Sequence, residues 1–272
     1  MSSQPLAAHL TKHIPVLSYS FNSTVFSLSQ LSDGVSNGTA LWLGGQCLAM
    51  YLAQMHNKFK PSNHQTPPRA IELGSGIGLT ALAMSSLGWD VLATDIFHVI
   101  TSVLQKNIKN NLAALPIRSG TVHIRELDWT VQPEQWRWDC ELYIASNSSF
   151  LSDPAAQSSG SHCCPPFDLI YSADTIYSVD LLEPMLRTLH TLSTLSAAAS
   201  PSHRFPPILL CIERRDSSLV DRLLCDAENI WHFNVERVPH KKLAKAMERS
   251  GVHWNRADWE DVELWKLKLH PK

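Results

Sequence analysis

With 272 residues and 44% hydrophobic composition, the chain can bury one sizeable core. A formal net charge of -2 excludes the basic excess that marks many nucleic-acid binders, and 18% charged residues is too few for a disordered acidic chain. The six cysteines form no CxxC pair, the start "MSSQPLAAHLTKHIPVL" shows no signal-peptide pattern, and the uncharged run 73–89 is too rich in Gly, Ser and Thr for a membrane helix. A reducing compartment, cytoplasm or nucleus, is the expectation.

In chain order, residues 1–39 read as an N-terminal extension. "IPVLSYSF" and "TVFSLSQL" are β-rich and flank Asn22-Ser23, which predicts a hairpin. "SDGVSNGTA" is turn chemistry, and "LWLGGQCLAMYLAQM" has helical spacing at Leu43, Cys47, Met50 and Tyr51. A polar connector, "NKFKPSNHQTPPR", follows. From Ala70 short apolar strands alternate with helices. "AIELG", "DVLATDI", "TVHIRELDW", "FDLIYSAD" and "PPILLCIERR" read as strands. "GLTALAMSSLG", "HVITSVLQKNIKNNLAAL", "LLEPMLRTLHTLSTLSAAA" and "SSLVDRLLCDAENIW" read as helices. This alternation predicts an α/β domain over 40–272 with a mainly parallel sheet.

The ending differs. "FNVERV" and "ELWKLKLH" read as strands around a short basic helix, "KKLAKAMERSG". Trp265, Leu267 and Leu269 share one face of the last strand and Lys266 and Lys268 the other, which suits an antiparallel strand. Residues 145–166, "ASNSSFLSDPAAQSSGSHCCPP", read as a mobile Ser/Pro-rich insertion. His162, Cys163 and Cys164 within it lack a second ligand cluster, so no metal site is expected.

"ELGSGIGL" sets Gly74, Gly76 and Gly78 between a strand and a helix. Such a loop lets a ligand approach the backbone, and the helix start offers free N–H groups. Leu79 stands where a dinucleotide fingerprint needs its third glycine, which weakens a hydride-transfer reading. Glu72 would repel a pyrophosphate but suits a ligand with an amino group, such as the methionine part of S-adenosylmethionine. Asp95, followed by Ile96, ends the next strand where a carboxylate can meet a ribose. Asp128 and Trp129 end the third, where an aromatic can stack on an adenine. Each has a plainer reading: a tight turn for the glycines, a helix N-cap for Asp95, core packing for Trp129. Together with Asp174 they fall at the carboxyl ends of successive strands, where open α/β sheets bind ligands.

"ELGSGIGL", "ATDI", "ELDW" and "SADTIY", in this order, resemble the seven-β-strand methyltransferases of family 16, protein-lysine methyltransferases with an Asp-x-x-Tyr motif. "GTALWLGGQCLAMYL" resembles the family's lead-in helix, and "CIERR" with "VELWKLKL" is similar to its methyltransferase-like protein twenty-two branch. The resemblance covers roughly 18–270. It implies a Rossmann-like seven-stranded class I sheet with an antiparallel last strand and helices on both faces, carrying the N-terminal hairpin. It implies S-adenosylmethionine as cofactor, held by Trp42, Gly74, Ser75, Gly76, Asp95, Trp129 and Ala173, with Glu72, Gly78, Ile96 and Asp128 beside them. Asp174 and Tyr177 match the signature acid and tyrosine, which face the acceptor amine. The implied partner is a protein carrying a target lysine; no membrane or direct nucleic-acid partner is expected, and the chain is expected to be a monomer. Two alternatives stay open: methylation of a small molecule or nucleic acid on the same fold, and a non-catalytic binding module.

Overall fold

The computed structural model describes residues 4–31, 37–61, 66–147 and 163–270. Most of the expected insertion (148–162, with His162), part of the turn before the lead-in helix (32–36) and part of the connector (62–65) lie outside the described residues.

The hairpin forms as predicted. β1 (Val16–Phe21) and β2 (Thr24–Ser29) pair antiparallel around a two-residue turn, and Asn22 takes the left-handed backbone such a turn needs. Leu17, Tyr19, Phe21, Phe26 and Leu28 are buried. Two strands alone are marginal in water, so this buried face is what anchors the hairpin to the rest of the chain.

After α1 (Leu43–Met55), strands β3 (Arg69–Leu73), β4 (Asp90–Asp95), β5 (Val122–Leu127), β6 (Tyr143–Ala145), β7 (Leu169–Ala173), β8 (Ile208–Glu213), β9 (Phe233–Arg237) and β10 (Val262–Leu269) make one sheet, in the order β6-β5-β4-β3-β7-β8-β10-β9. The pairs from β6 through to β8 are parallel, while β10 runs antiparallel to both β8 and β9. The sheet thus has the predicted character with one strand more than the seven expected. The extra strand is β6, three residues paired with the end of β5, too short for any periodicity to show. β3 is central, and Ala70, Ile71 and Leu73 are fully buried, as a strand covered on both faces requires.

The helices α2 (Leu79–Ser86), α4 (Gln105–Asn111) and α7 (His240–Arg249) join α1 and the hairpin over one face. α5 (Leu182–Ala199) and α6 (Ser217–Asn229) cover the other, where Leu186, Leu189 and Leu223 meet Ile170 and Ile208. Asp216 caps α6 by accepting the N–H groups of Ser218 and Leu219. The helix expected after β4 is not uniform. A short α3 (Phe97–Val99) passes through a π-helical stretch, Ile100–Leu104, into α4. The chain leaves β3 toward β4 and later returns to β3's other side with β7. That reversal is the switch point where such sheets form a crevice at their carboxyl ends.

Candidate functional site

The loop after β3 turns on positive φ at Gly74 (69°) and Gly76 (54°). A Cβ on Gly74 would lie 2.5 Å from Thr175 Cγ2, and one on Gly76 3.1 Å from the carbonyl of Gly38, so both positions are closed to side chains. Asp95 fastens the loop to β4: its carboxylate accepts the N–H of Gly76 at 2.8 Å and that of Ile96 at 2.8 Å. The side chain is therefore a clasp on the glycine loop rather than a helix cap, since Ile96 holds the cap position.

Over this loop opens a cleft of about 110 Å³. Trp42, Gly74, Gly76, Asp95 and Ile96 line one part of it, and Asp128, Trp129, Ala173, Asp174 and Tyr177 the other. A smaller lobe of about 40 Å³ shares Trp42, Gly74, Gly76 and Ala173 with it and holds Glu72 and Ser75. Twelve of the thirteen residues singled out in the sequence thus line one or both of these two adjoining spaces. Gly78 is the exception. Its left-handed backbone starts α2, and a Cβ there would meet Leu104 and Ile108 at 2.9 and 3.0 Å. Helix packing alone already requires a glycine here.

Glu72 is 2% exposed, and burial pushes its carboxyl up to about 8, the hydroxyls of Ser75 and Thr80 drawing it partly back. Its Oε2 has no hydrogen-bond partner. A buried acid with a free oxygen beside a cavity is matched to a cationic donor. Burial likewise raises Asp95, to about 6, against the pull of its two backbone donors. Trp129 also keeps a buried, unpartnered Nε1, while its backbone carbonyl is fixed by Arg187 at 2.9 Å. Asp128 is more committed: it accepts from Thr130 N–H at 2.9 Å, Thr130 Oγ1 at 2.6 Å and Asn147 Nδ2 at 3.0 Å. These free donors and acceptors fit an amino acid head, a ribose and an adenine in one cleft.

Asp174 departs from its expected pose. At a left-handed φ of 53° it turns its carboxylate inward, accepting the N–H of Gly44 at 2.5 Å and of Glu213 at 2.8 Å. Burial raises its carboxyl and these two bonds oppose the rise. It lines the cleft, yet its first partners are the start of α1 and the end of β8 rather than the open space. Tyr177 stands at the mouth, 57% exposed.

Sequence reasoning missed Asn37, Gly38, Gly45, Thr175 and Leu181 as lining residues, and Gly44 as the partner of Asp174. The Gly44-Gly45 pair at a helix start was the available signal, since glycine is a poor helix former. It also missed a cluster around Trp42. Lys12 Nζ lies 3.4 Å and Arg215 Cζ 4.2 Å from the ring centroid, and the indole donates to Asn37 O at 2.6 Å.

Residues 21–153 match the model of a family described as lysine methyltransferase; the match stops short of Asp174 and Tyr177. Methyltransferase-like protein 22 of Homo sapiens is 23% identical over 243 residues, 86% of this chain and 54% of that protein. Its Mus musculus counterpart is 23% identical over 248 residues, covering 86% and 56%. Protein-lysine methyltransferase METTL21E of Mus musculus is 26% identical over 227 residues, covering 81% and 76%. The chain spans a little over half the length of the methyltransferase-like protein 22 sequences.

Proposed function

We propose that this chain, whose residues 21–153 match the lysine methyltransferase family model, transfers a methyl group from S-adenosylmethionine to the ε-amine of a lysine in a protein substrate. The observation that carries the reading is the buried Glu72 carboxylate, which lines the lobe behind the glycine loop and whose Oε2 has no hydrogen-bond partner. A cofactor with an α-amino group satisfies that acid, whereas a pyrophosphate does not.

When bound, the cofactor supplies a methyl already activated on a sulfonium. The protein's residues then have to bind, orient and stabilise charge. Glu72 would hold the amino group, Asp95 the ribose hydroxyls, and Trp129 the adenine. A free lysine is neutral in only about one molecule in a thousand near pH 7.4, a cost of roughly 4 kcal/mol. Asp174 does not remove that cost, because a carboxylate favours the protonated amine. Its part is to hold the acceptor and stabilise the cation that forms as the methyl arrives, from a position fixed by Gly44 and Glu213. Tyr177, at the mouth, walls the acceptor's path. The proton leaves to water. The six free cysteines fit a reducing compartment, cytoplasm or nucleus.

The test is the full chain incubated with methyl-labelled cofactor and a cell lysate. Label recovered as methyl-lysine in protein by mass spectrometry supports the reading. Label in RNA or in small molecules, or no calorimetric binding of the cofactor, sinks it.

A further inference from the structure

α1 runs from the cleft to a second cavity at its far end, 13 residues or about 20 Å away. This cavity measures about 280 Å³, against about 110 Å³ for the cleft over the glycine loop. It lies at the opposite edge of the sheet, near the start of β8 and the end of β10, so the two share no lining residue. Five cations reach it: Lys58, Arg204, Lys242, Lys266 and Lys268. One carboxylate, Glu236, faces them from β9, in register with Lys266.

This charge is out of character for the chain. The formal net charge of the whole is -2, while the cavity alone gathers five positive groups against one negative. Elsewhere Arg187, Arg214 and Arg237 each hold a carboxylate within 3.0 Å. Among the described residues none of the five cavity cations forms an ion pair. Lys266 and Lys268 are half-buried on the strand face whose earlier members, Val262 and Leu264, enter the core. Like charges held together in a concave site repel one another and focus a field on whatever enters. The cavity also has an aromatic side: Tyr51, 4% exposed, and the half-buried Phe59. Its charge is gathered in a pocket, which suits a compact anion better than an extended chain.

We infer that this cavity binds an organic polyphosphate of the nucleoside triphosphate kind, its phosphates among Lys58, Arg204, Lys242, Lys266 and Lys268 and its ring against Tyr51 and Phe59. Arginine and lysine are the residues that neutralise phosphate, and an aromatic face accepts a planar base. The site is independent of the methyl-transfer reading.

The experiment is a calorimetric titration of ATP into the full chain saturated with S-adenosylhomocysteine, which keeps adenosine out of the first cleft. One ATP per chain is expected. Arg204→Glu with Lys242→Glu, both exposed side chains, lowers ATP affinity about tenfold or more and leaves S-adenosylhomocysteine binding unchanged. Raising salt from about 50 to about 200 mM weakens ATP binding in wild type more than in the reversed variant. Inorganic tripolyphosphate binds more weakly than ATP. Absence of ATP binding at millimolar concentration, or equal affinity in the reversed variant, overturns the proposal. Equal affinity for tripolyphosphate overturns the aromatic seat, and a single-stranded oligonucleotide binding more tightly than ATP overturns the compact ligand.

Discussion

The carboxylate of Asp174 accepts the backbone N–H of Gly44 across 2.5 Å and 130 sequence positions, while its other oxygen takes the N–H of Glu213. One acid thus binds the first turn of α1 to the end of β8 at the edge of the cleft. A Cβ on Gly44 would fall 2.6 Å from that carboxylate, so the contact also explains the glycine. Removing the acid therefore does two things at once, and the variant must separate them. Asp174→Ala leaves two N–H groups short of a partner, at about 1–3 kcal/mol each, and puts a poorly suited residue at left-handed φ. Asp174→Asn keeps that backbone preference and one good acceptor. Denaturant melts are expected to show Asp174→Ala losing roughly 2–6 kcal/mol and Asp174→Asn clearly less. Both lose methyl transfer. An Asp174→Asn enzyme with full transfer and full cofactor binding would contradict the charge role.

Glu72 makes cofactor binding a proton-linked event. Burial raises its carboxyl to about 8, far above the ordinary 4.5, so near pH 7 the free protein holds it mostly protonated. A bound ammonium favours the ionised form and expels the proton. Calorimetry in buffers of different ionisation enthalpy should find close to one proton released per cofactor at pH 7. Affinity should rise as pH goes from 6 to 8. For the free protein the sign is opposite. The raised acid contributes stability fully present below about 4.5 and lost as pH climbs toward 8. Glu72→Gln should flatten that loss, keep or raise the melting temperature, and weaken cofactor binding by about 10–100-fold, the worth of a charge-assisted hydrogen bond. A Glu72→Gln protein with unchanged affinity and unchanged proton release would remove the acid from the site.

The parts of this site that could be read from sequence are those fixed by local chemistry. A strand ending in Gly-x-Gly must turn sharply, and Asp95 and Trp129 sit at strand ends that periodicity locates. Asp174 could be placed at the edge for the same reason. Its partners could not, because nothing local links it to residues 130 positions earlier and 39 later. The spacing of Gly78 suggested a ligand contact and could not show that Leu104 and Ile108 by themselves impose the glycine. β6 left no trace because three residues carry no period. The helix around "KNIKNN" was legible, but the burial of Asn107 and Asn111 was not, because their partners lie on a distant hairpin.

Lys12 offers a pH test of the N-terminal segment. Its Nζ donates to Leu41 O at 2.5 Å and stands over Trp42; burial first, then Arg215, lower it to about 8 from 10.5. Between those values the unfolded chain binds more protons than the folded one, so folding gains stability as pH rises from about 8 to about 10.5. Lys12→Met should abolish that increment. The measurement is the difference in unfolding free energy between wild type and variant at pH 8 and at pH 10; a difference independent of pH would refute the linkage.

Asn107 and Asn111 predict how the hairpin is held. Asn111 Oδ1 accepts Ser27 N–H at 2.8 Å and its Nδ2 donates to Ser27 O at 2.9 Å. Asn107 repeats the pattern on Ser29, at 2.8 Å both ways. Four residues apart, the two amides share a helix face and offer β2 the donor and acceptor that a neighbouring strand would offer. Asn107 Nδ2 has one further acceptor, Ile77 O in the glycine loop at 2.9 Å, whereas Asn111 Nδ2 turns to Asn107 O at 2.7 Å. The variants should therefore differ in kind. Asn107→Ala and Asn111→Ala each cost about 2–4 kcal/mol and speed hydrogen exchange at Ser29 or Ser27 respectively. The double variant should lose less than the sum, because the pair is bonded to itself. Only Asn107→Ala should also weaken S-adenosylhomocysteine binding, by loosening the loop that carries Gly76. Equal binding by both single variants would show that the hairpin clamp and the glycine loop are energetically separate.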